Sequence, residues 1–181
     1  MLIGIAGKAG CGKDTAADYL VEAFGFLKES FANPIKQMIN IMLGFDPDDI
    51  SNWEDRAWKE TIIPEFNASP RKLAQTLGTD WGRDMIHDQI WVAVMQRRLL
   101  PEANIVIPDV RFHNEATMIR ELGGTIVHIT RDNLDGVIPH RSESGFPHSF
   151  EDIYLDNNGT VEELEDSLHA FIVGEVYNGD A

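Results

Sequence analysis

The chain has 181 residues, enough for one domain with a full core. Hydrophobic residues make up 43% and charged residues 25%, the balance of a soluble globular protein, and no apolar run approaches the roughly 18 residues of a membrane span. The net charge of −15 argues against a duplex nucleic-acid partner, which needs a basic footprint. It does not exclude small anions, because distant charge is screened beyond about 8 Å at physiological salt and local cations decide.

The first predicted element is a strand over residues 2–6, Leu-Ile-Gly-Ile-Ala. No basic segment precedes it, so no signal peptide is expected. It runs directly into Gly7-Lys-Ala-Gly-Cys-Gly-Lys-Asp-Thr15, and a helix over 14–24 follows, with Ala17, Leu20, Val21 and Phe24 on one face. Strand, glycine-rich turn, lysine and helix is the context of a phosphate-binding loop. Glycines let backbone N–H groups turn inward, where a side chain would block an approaching phosphate. The helix N-terminus adds a favourable dipole, and Lys13 is expected exposed at the loop rim, reaching the phosphates. Gly7, Gly12 and Lys13 satisfy G-x4-G-K, but Asp14 stands where Ser or Thr usually holds magnesium, with Thr15 one step later. The bland alternative is a glycine turn with Asp14 as helix cap. The one cysteine, Cys11, excludes an internal disulfide framework and fits a reducing cytosol. Its place in the loop opens it to oxidation, although a small residue that suits the turn is the simpler reading.

Further along, Phe26–Phe31 reads as a second strand. Asn33-Pro34 opens a helix through about Leu43, Asp46-Pro47 repeats that start signal, and Ser69-Pro70 opens a helix over about 70–79. Another helix is expected over 83–99. A short buried strand, 104–108, ends at Asp109; a helix over 113–122 ends at Gly123-Gly124; a strand covers 125–130. Residues 131–150 lack periodicity, and a loop of that length is often a lid. A last strand covers 153–156. Thr160 and Glu163 form a capping box before a helix with Val161, Leu164, Leu168 and Phe171 inward. Alternating strands and helices predict an α/β fold, with a parallel sheet of about five strands covered by helices on both faces. Ligands in such sheets sit beyond the carboxyl ends of the strands, so Asp109 and Arg131 should share the rim of the loop.

Several arginines stand in candidate functional positions: Arg56, Arg71, Arg83, Arg111, Arg131 and Arg141. A small-molecule kinase needs one anion site for the donor and another for the acceptor, and the guanidinium fork pairs with phosphate bidentately. No Asn-Lys-x-Asp guanine motif is present, and the chain is short for a motor domain. Trp91 at an apolar helical spacing reads as core on pattern alone, and Trp53, Trp58 and Trp81 read as packing. Asp109 either caps the following segment or serves the site. Arg120 reads as a solvated face. His140 and His148 read as loop-stabilising groups rather than metal ligands, and Asp48-Asp49 and Glu162-Glu163 as charges at helix N-termini.

The ordered set of motifs resembles the bacteriophage-type deoxynucleoside monophosphate kinases. The loop with its Gly-Lys-Asp-Thr ending carries the resemblance, together with Pro34-Ile-Lys36, Gln75-Thr-Leu-Gly-Thr-Asp80, Ile107-Pro-Asp-Val-Arg111 with Asn114-Glu115, Gly124–Arg131, His140-Arg-Ser-Glu143 and Asn157-Asn-Gly-Thr160. The resemblance implies a single kinase domain of the three-layer phosphate-loop fold over 1–181, with an acceptor-binding helical region at about 33–99 and a lid at about 131–150. It implies transfer of the γ-phosphate of ATP to a deoxynucleoside monophosphate. Gly7, Gly10, Cys11, Gly12, Lys13, Asp14 and Thr15 would then bind ATP, with Arg131, Arg141 and Asn157 on the donor side. Arg56, Arg71 and Trp91 would take the acceptor. Asp109 and Arg111 would join Lys13 and Asp14 at the reacting centre, and Asp14, Thr15 and Asp109 would serve Mg2+, directly or through water. Partners would be small nucleotides, with no nucleic acid and no membrane, in a monomer or homodimer in the cytoplasm, the host's if the chain is phage-encoded. Departing from the larger members, the segment before Ser69 is short, which bears on Arg56. A kinase for another small acceptor, dephospho-coenzyme A-like or a sugar acid, and a non-catalytic nucleotide-binding module are the alternatives.

Overall fold

The structure is a computed structural model that describes residues 1–132, 146–147 and 149–179. In chain order the elements are β1 (Leu2–Ala6), α1 (Lys13–Phe24), β2 (Leu27–Lys28), α2 (Asn33–Leu43), a 3₁₀ turn (Ser51–Glu54), α3 (Arg56–Glu60), α4 (Pro70–Gln75), a π-helical stretch (Thr76–Ile86), α5 (Ile90–Arg98), β3 (Ile105–Val110), α6 (His113–Glu121), β4 (Thr125–Thr130), β5 (Ile153–Asp156) and α7 (Val161–Gly179). They form two compact units, Met1–Glu29 with Leu99–Ala181, and Ser30–Arg98. The first holds the sheet; the second is mainly helical.

In the first unit the five strands pair in the order β2-β3-β1-β4-β5, all parallel. The period-two alternation of β1 explains the layers. Ile3 and Ile5 join Ala16, Ala17 and Leu20 of α1 and Leu164 and Leu168 of α7 in one buried core. Gly4 faces the other way, where a Cβ would stand 2.6 Å from Ile119 of α6. The expected α/β arrangement, with helices on both faces, is therefore present. β1 is the switch point: the chain leaves it toward β2 and β3 on one side, then crosses to β4 and β5 on the other.

Three local departures have physical reasons. β3 continues to Val110 instead of ending at residue 108, because an extra residue bulges from it: Gly4 pairs with Ile107 but Ala6 with Val110. The bulge accommodates Pro108, which has no N–H for the ladder. β2 is reduced to two residues because, as an edge strand, it pairs only at Leu27 and Lys28, with Phe26 buried just before it. In α7 the capping box forms, with Thr160 N–H donating to Glu163 Oε2 and Glu163 N–H to Thr160 Oγ1. Val161, however, is exposed, and Ile172 completes the inward row with Leu164 and Leu168.

The helical unit departs further. No helix starts at Asp46-Pro47. The Asn40 side chain donates to the carbonyls of Asp46 and Asp49, at 3.1 and 2.8 Å, and accepts from Trp53 Nε1 at 3.0 Å. Those carbonyls are thus engaged by a side chain, and the segment turns instead, with Asp49 capping Ser51. The helix opened by Ser69, which caps Lys72 N–H, widens into i→i+5 bonding after Gln75. Trp91 explains it: its Nε1 donates to the Gly78 carbonyl at 2.7 Å and its ring lies 2.8 Å from where a Gly82 Cβ would be. The helix expected from residue 83 therefore begins only at Ile90.

Candidate active site

The loop after β1 is built on left-handed glycines. Gly7, Gly10 and Gly12 have φ of 148°, 82° and 104°. A Cβ at Gly7 would meet the Ile129 carbonyl at 2.3 Å, and one at Gly12 the Asn157 amide at 2.3 Å. Gly12 occupies the N-cap of α1 with no side-chain cap, so Asp14 is not the cap residue. The cap residue therefore offers no side-chain oxygen to the first-turn N–H groups, which suits an anion site.

Lys13 is buried, 8% exposed, and not at an exposed rim. Its ammonium folds back to donate to the Gly7 and Lys8 carbonyls, both at 2.8 Å. The loop thus carries its own cation. Asp14 is solvent-exposed and lies 3.7 Å from Lys28 Nζ, which bonds Asp18 at 2.7 Å; Thr15 is exposed beside it. Cys11 is fully buried. Burial pushes its thiol above the ordinary range, against the pull of the Lys13 charge.

The parallel register brings further residues to this edge. Val110 pairs with Ala6 and so does His128, so Asp109, Arg111 and the end of β4 lie alongside the start of the loop. Arg131 follows β4 directly and is exposed. Asp109 and Arg111 are half-buried. Glu115, for which the sequence alone suggests no role, is buried, and its Oε2 accepts from the N–H groups of Arg111 at 2.8 Å and Phe112 at 3.0 Å. Its position three residues into α6 was the available signal. Lys28 was likewise missed, since an edge-strand lysine looks solvated. Arg141, His140, His148 and most of the expected lid lie outside the described residues.

Arg120 is a correction. It does not lie on a solvated face but forks onto Asp152, which is nearly inaccessible, with Nε and both contacts of its terminal nitrogen at 2.7–3.0 Å. His128 Nε2 meets the same carboxylate at 2.9 Å, and Tyr154 stacks on the His128 ring. Burial alone would raise the Asp152 carboxyl. The donors from Ser149, Arg120 and His128 together hold it below its ordinary value.

In the helical unit Arg56 is exposed at the start of α3, where Asp55 caps Ala57 N–H at 2.7 Å. Arg71, in α4, forms an exposed ion pair with Glu60. Trp91 is 4% exposed, the packing position that its spacing suggested. Trp53 is buried, Trp58 half-buried, and Trp81 exposed rather than packed.

A phosphate loop at the switch point of a parallel sheet, with a lysine folded onto it, defines an α/β protein of the phosphate-loop class. Residues 45–168 match the family Deoxynucleotide monophosphate kinase. The chain belongs to that family and is an enzyme, a phosphotransferase. A protein of Acanthamoeba polyphaga mimivirus, provisionally named as a deoxynucleotide monophosphate kinase, is 36% identical over 181 residues, covering 91% of this chain and 92% of its own length. The deoxynucleoside-5'-monophosphate kinase of Escherichia phage T5 is 26% identical, covering 83% and 86%. Among solved structures, shikimate kinase from Aquifex aeolicus overlaps with a TM-score of 0.48 at 15% identity, covering 98% of this chain and 99% of that one.

Proposed function

We propose that the chain transfers the γ-phosphate of ATP to a deoxynucleoside monophosphate, giving the diphosphate and ADP. The observation that supports it most is Lys13, buried on a loop of left-handed glycines at an uncapped helix start. Glycine at 7 and 12 is what lets the backbone hold this turn, because a Cβ there would collide with the Ile129 carbonyl or the Asn157 amide, and a turn of this kind leaves backbone N–H groups to receive phosphate. On this reading Gly7, Gly10, Cys11, Gly12, Lys13, Asp14 and Thr15 bind the donor phosphates, with Arg131. Asp109 and Arg111 serve the reacting centre, and Glu115 fixes the backbone that carries Arg111. Phosphoryl transfer needs positioning and cations where charge develops, and little covalent chemistry from the protein.

Magnesium, when bound, neutralises charge across the phosphates. It uses one or two carboxylates beside a nucleotide, and Asp14 and Asp109 are hard oxygen donors at the loop edge that fit it, with Thr15 adjacent. No group of three or more candidate metal-ligating side chains is found among the described residues, so these carboxylates would act with the substrate phosphates. The acceptor falls to the helical unit: Arg71 for the phosphate, which requires it to leave Glu60, and Arg56 for the base, while Trp91, buried with its Nε1 on the Gly78 carbonyl, would shape that unit from inside rather than stack on the base. No helix among the described residues is long and apolar enough to cross a membrane, and action in the host cytoplasm follows if the chain is viral. The test is a coupled ADP-release assay with ATP across the ribo- and deoxyribonucleoside monophosphates. Turnover with a deoxynucleoside monophosphate is expected. Turnover only with a dephospho-coenzyme A-like or sugar-acid acceptor, or none with any acceptor, overturns the reading.

A further inference from the structure

Asn157 follows β5 and is 6% exposed. Its side-chain amide donates to the Cys11 carbonyl, 146 residues away in sequence, at 2.8 Å. The contact is tight on the loop side as well, since Gly12 has no space for a Cβ against that amide nitrogen. Asn157 is itself fixed by strand ends: its own N–H donates to the Thr130 carbonyl at 2.8 Å, and Thr130 pairs with Asp156 across the sheet. The next residue braces the same turn. Asn158 donates from its side chain to Asp156 and Asp132, at 2.9 and 3.0 Å, and accepts from the Asp132 N–H at 2.8 Å. Asp132 directly follows Arg131.

A trans peptide points its carbonyl and its following N–H in opposite directions. Pinning the Cys11 carbonyl toward Asn157 therefore aims the Gly12 N–H the other way, with the peptide plane set by β4 and β5 instead of by the loop. We propose that Asn157 is a positioning residue: its amide locks the Cys11–Gly12 peptide in the phosphate-accepting orientation and ties the loop to the strand end that carries Arg131. It acts through the loop and not by contact with the nucleotide. This rests on the loop being a donor-nucleotide site, as proposed above. A preset backbone donor is worth more than one that must reorganise on binding.

The test measures ADP binding by titration calorimetry for the wild type, Asn157→Ala and Asn157→Asp, with far-UV circular dichroism confirming the fold. Asn157→Asp keeps the volume but replaces the donor with an acceptor facing a carbonyl. Both variants should bind ADP about tenfold more weakly, the scale of one lost hydrogen bond with its buried acceptor left unpaired. In steady-state kinetics the KM for ATP should rise while that for the monophosphate stays put. Wild-type ADP affinity in Asn157→Ala overturns the proposal. So does wild-type affinity in Asn157→Asp, which would show that filling the space is enough. If the wild type binds ADP and the variants match it, this inference fails alone. A wild type that binds no ADP refutes the donor-site reading, and this inference with it.

Discussion

The two units bury polarity differently. The sheet unit puts ionisable groups inside and pairs them: Asp152 with Arg120 and His128, Glu115 with two backbone N–H groups, Lys13 with two loop carbonyls. The helical unit mostly buries neutral groups on neutral partners, Trp53 on Asn40, Asn40 on two carbonyls, Trp91 on Gly78. It also buries Arg83, one of whose contacts is the Asp88 carbonyl, while Arg56 and Arg71 stay accessible. Fixed interior charge suits a site that must be shaped before a polyphosphate arrives. Accessible arginines suit one that closes its ion pairs onto an arriving anion. Removing the paired carboxylate of the first unit should therefore cost more stability than removing the exposed Arg71 of the second.

The sharpest way to break that contrast is Asp152→Asn. It leaves Arg120 and His128 without their carboxylate, and breaking a buried pair typically costs about 3–5 kcal/mol. The Asp152 carboxyl is held below its ordinary value, so the pairing stabilises the fold above that value and is lost as pH falls through the lower, folded one. The thermal midpoint of Asp152→Asn should thus lie well below wild type at pH 7. The gap should narrow as pH drops below about 4, the ordinary carboxylate range. A gap that stays constant down to pH 3 would show that the carboxylate's charge is not what the fold uses.

Lys13→Ala tests the same unit at the site. Removing one well-placed charge contact should lower turnover roughly 10²–10³-fold. Because Lys13 is buried on two carbonyls, the variant must first be shown folded by circular dichroism. Retention of more than about a tenth of wild-type turnover would contradict the role given to the loop.

Arg71→Ala addresses the helical unit. Losing a charge-assisted hydrogen bond costs about 1.5–3 kcal/mol, or roughly 10–150-fold, and it should appear in the KM for the monophosphate far more than in that for ATP. Since the ion pair with Glu60 is exposed, stability should hardly change. Equal rises in both Michaelis constants would end the acceptor role.

The same division explains what was legible in the sequence. The sheet unit was readable because its signals are local: apolar strands, glycines where φ is positive, a capping box at Thr160 and Glu163. What escaped there was pairing at a distance. Arg120 looked solvated because Asp152, 32 residues on, is invisible to helical periodicity. Asn157 carried a family expectation, but its bond to Cys11 spans nearly the whole chain. In the helical unit the local signals themselves misled. Asp46-Pro47 is a sound start signal, yet Asn40 had already engaged the carbonyls of Asp46 and Asp49. Residues 75–79 and 83–86 read as the end of one ordinary helix and the start of the next until Trp91 draws off the Gly78 carbonyl.

The smallest expected effect is the control for the contrast, Trp53→Phe. Trp53 Nε1 donates to Asn40 Oδ1 at 3.0 Å, and both residues are buried. Phenylalanine keeps an aromatic ring against Trp58, whose centroid lies 5.2 Å away, but removes the donor. An unpaired buried acceptor costs about 1–3 kcal/mol. Neither partner titrates, so the loss should be the same at pH 4 as at pH 8 in urea unfolding followed at both values. Asn40 would still donate to Asp46 and Asp49, so the turn at 46–50 should survive and the Michaelis constant for ATP should not move. A loss that varied with pH would mean that a titrating group is coupled to the Asn40 network, and the contrast with Asp152 would then fail.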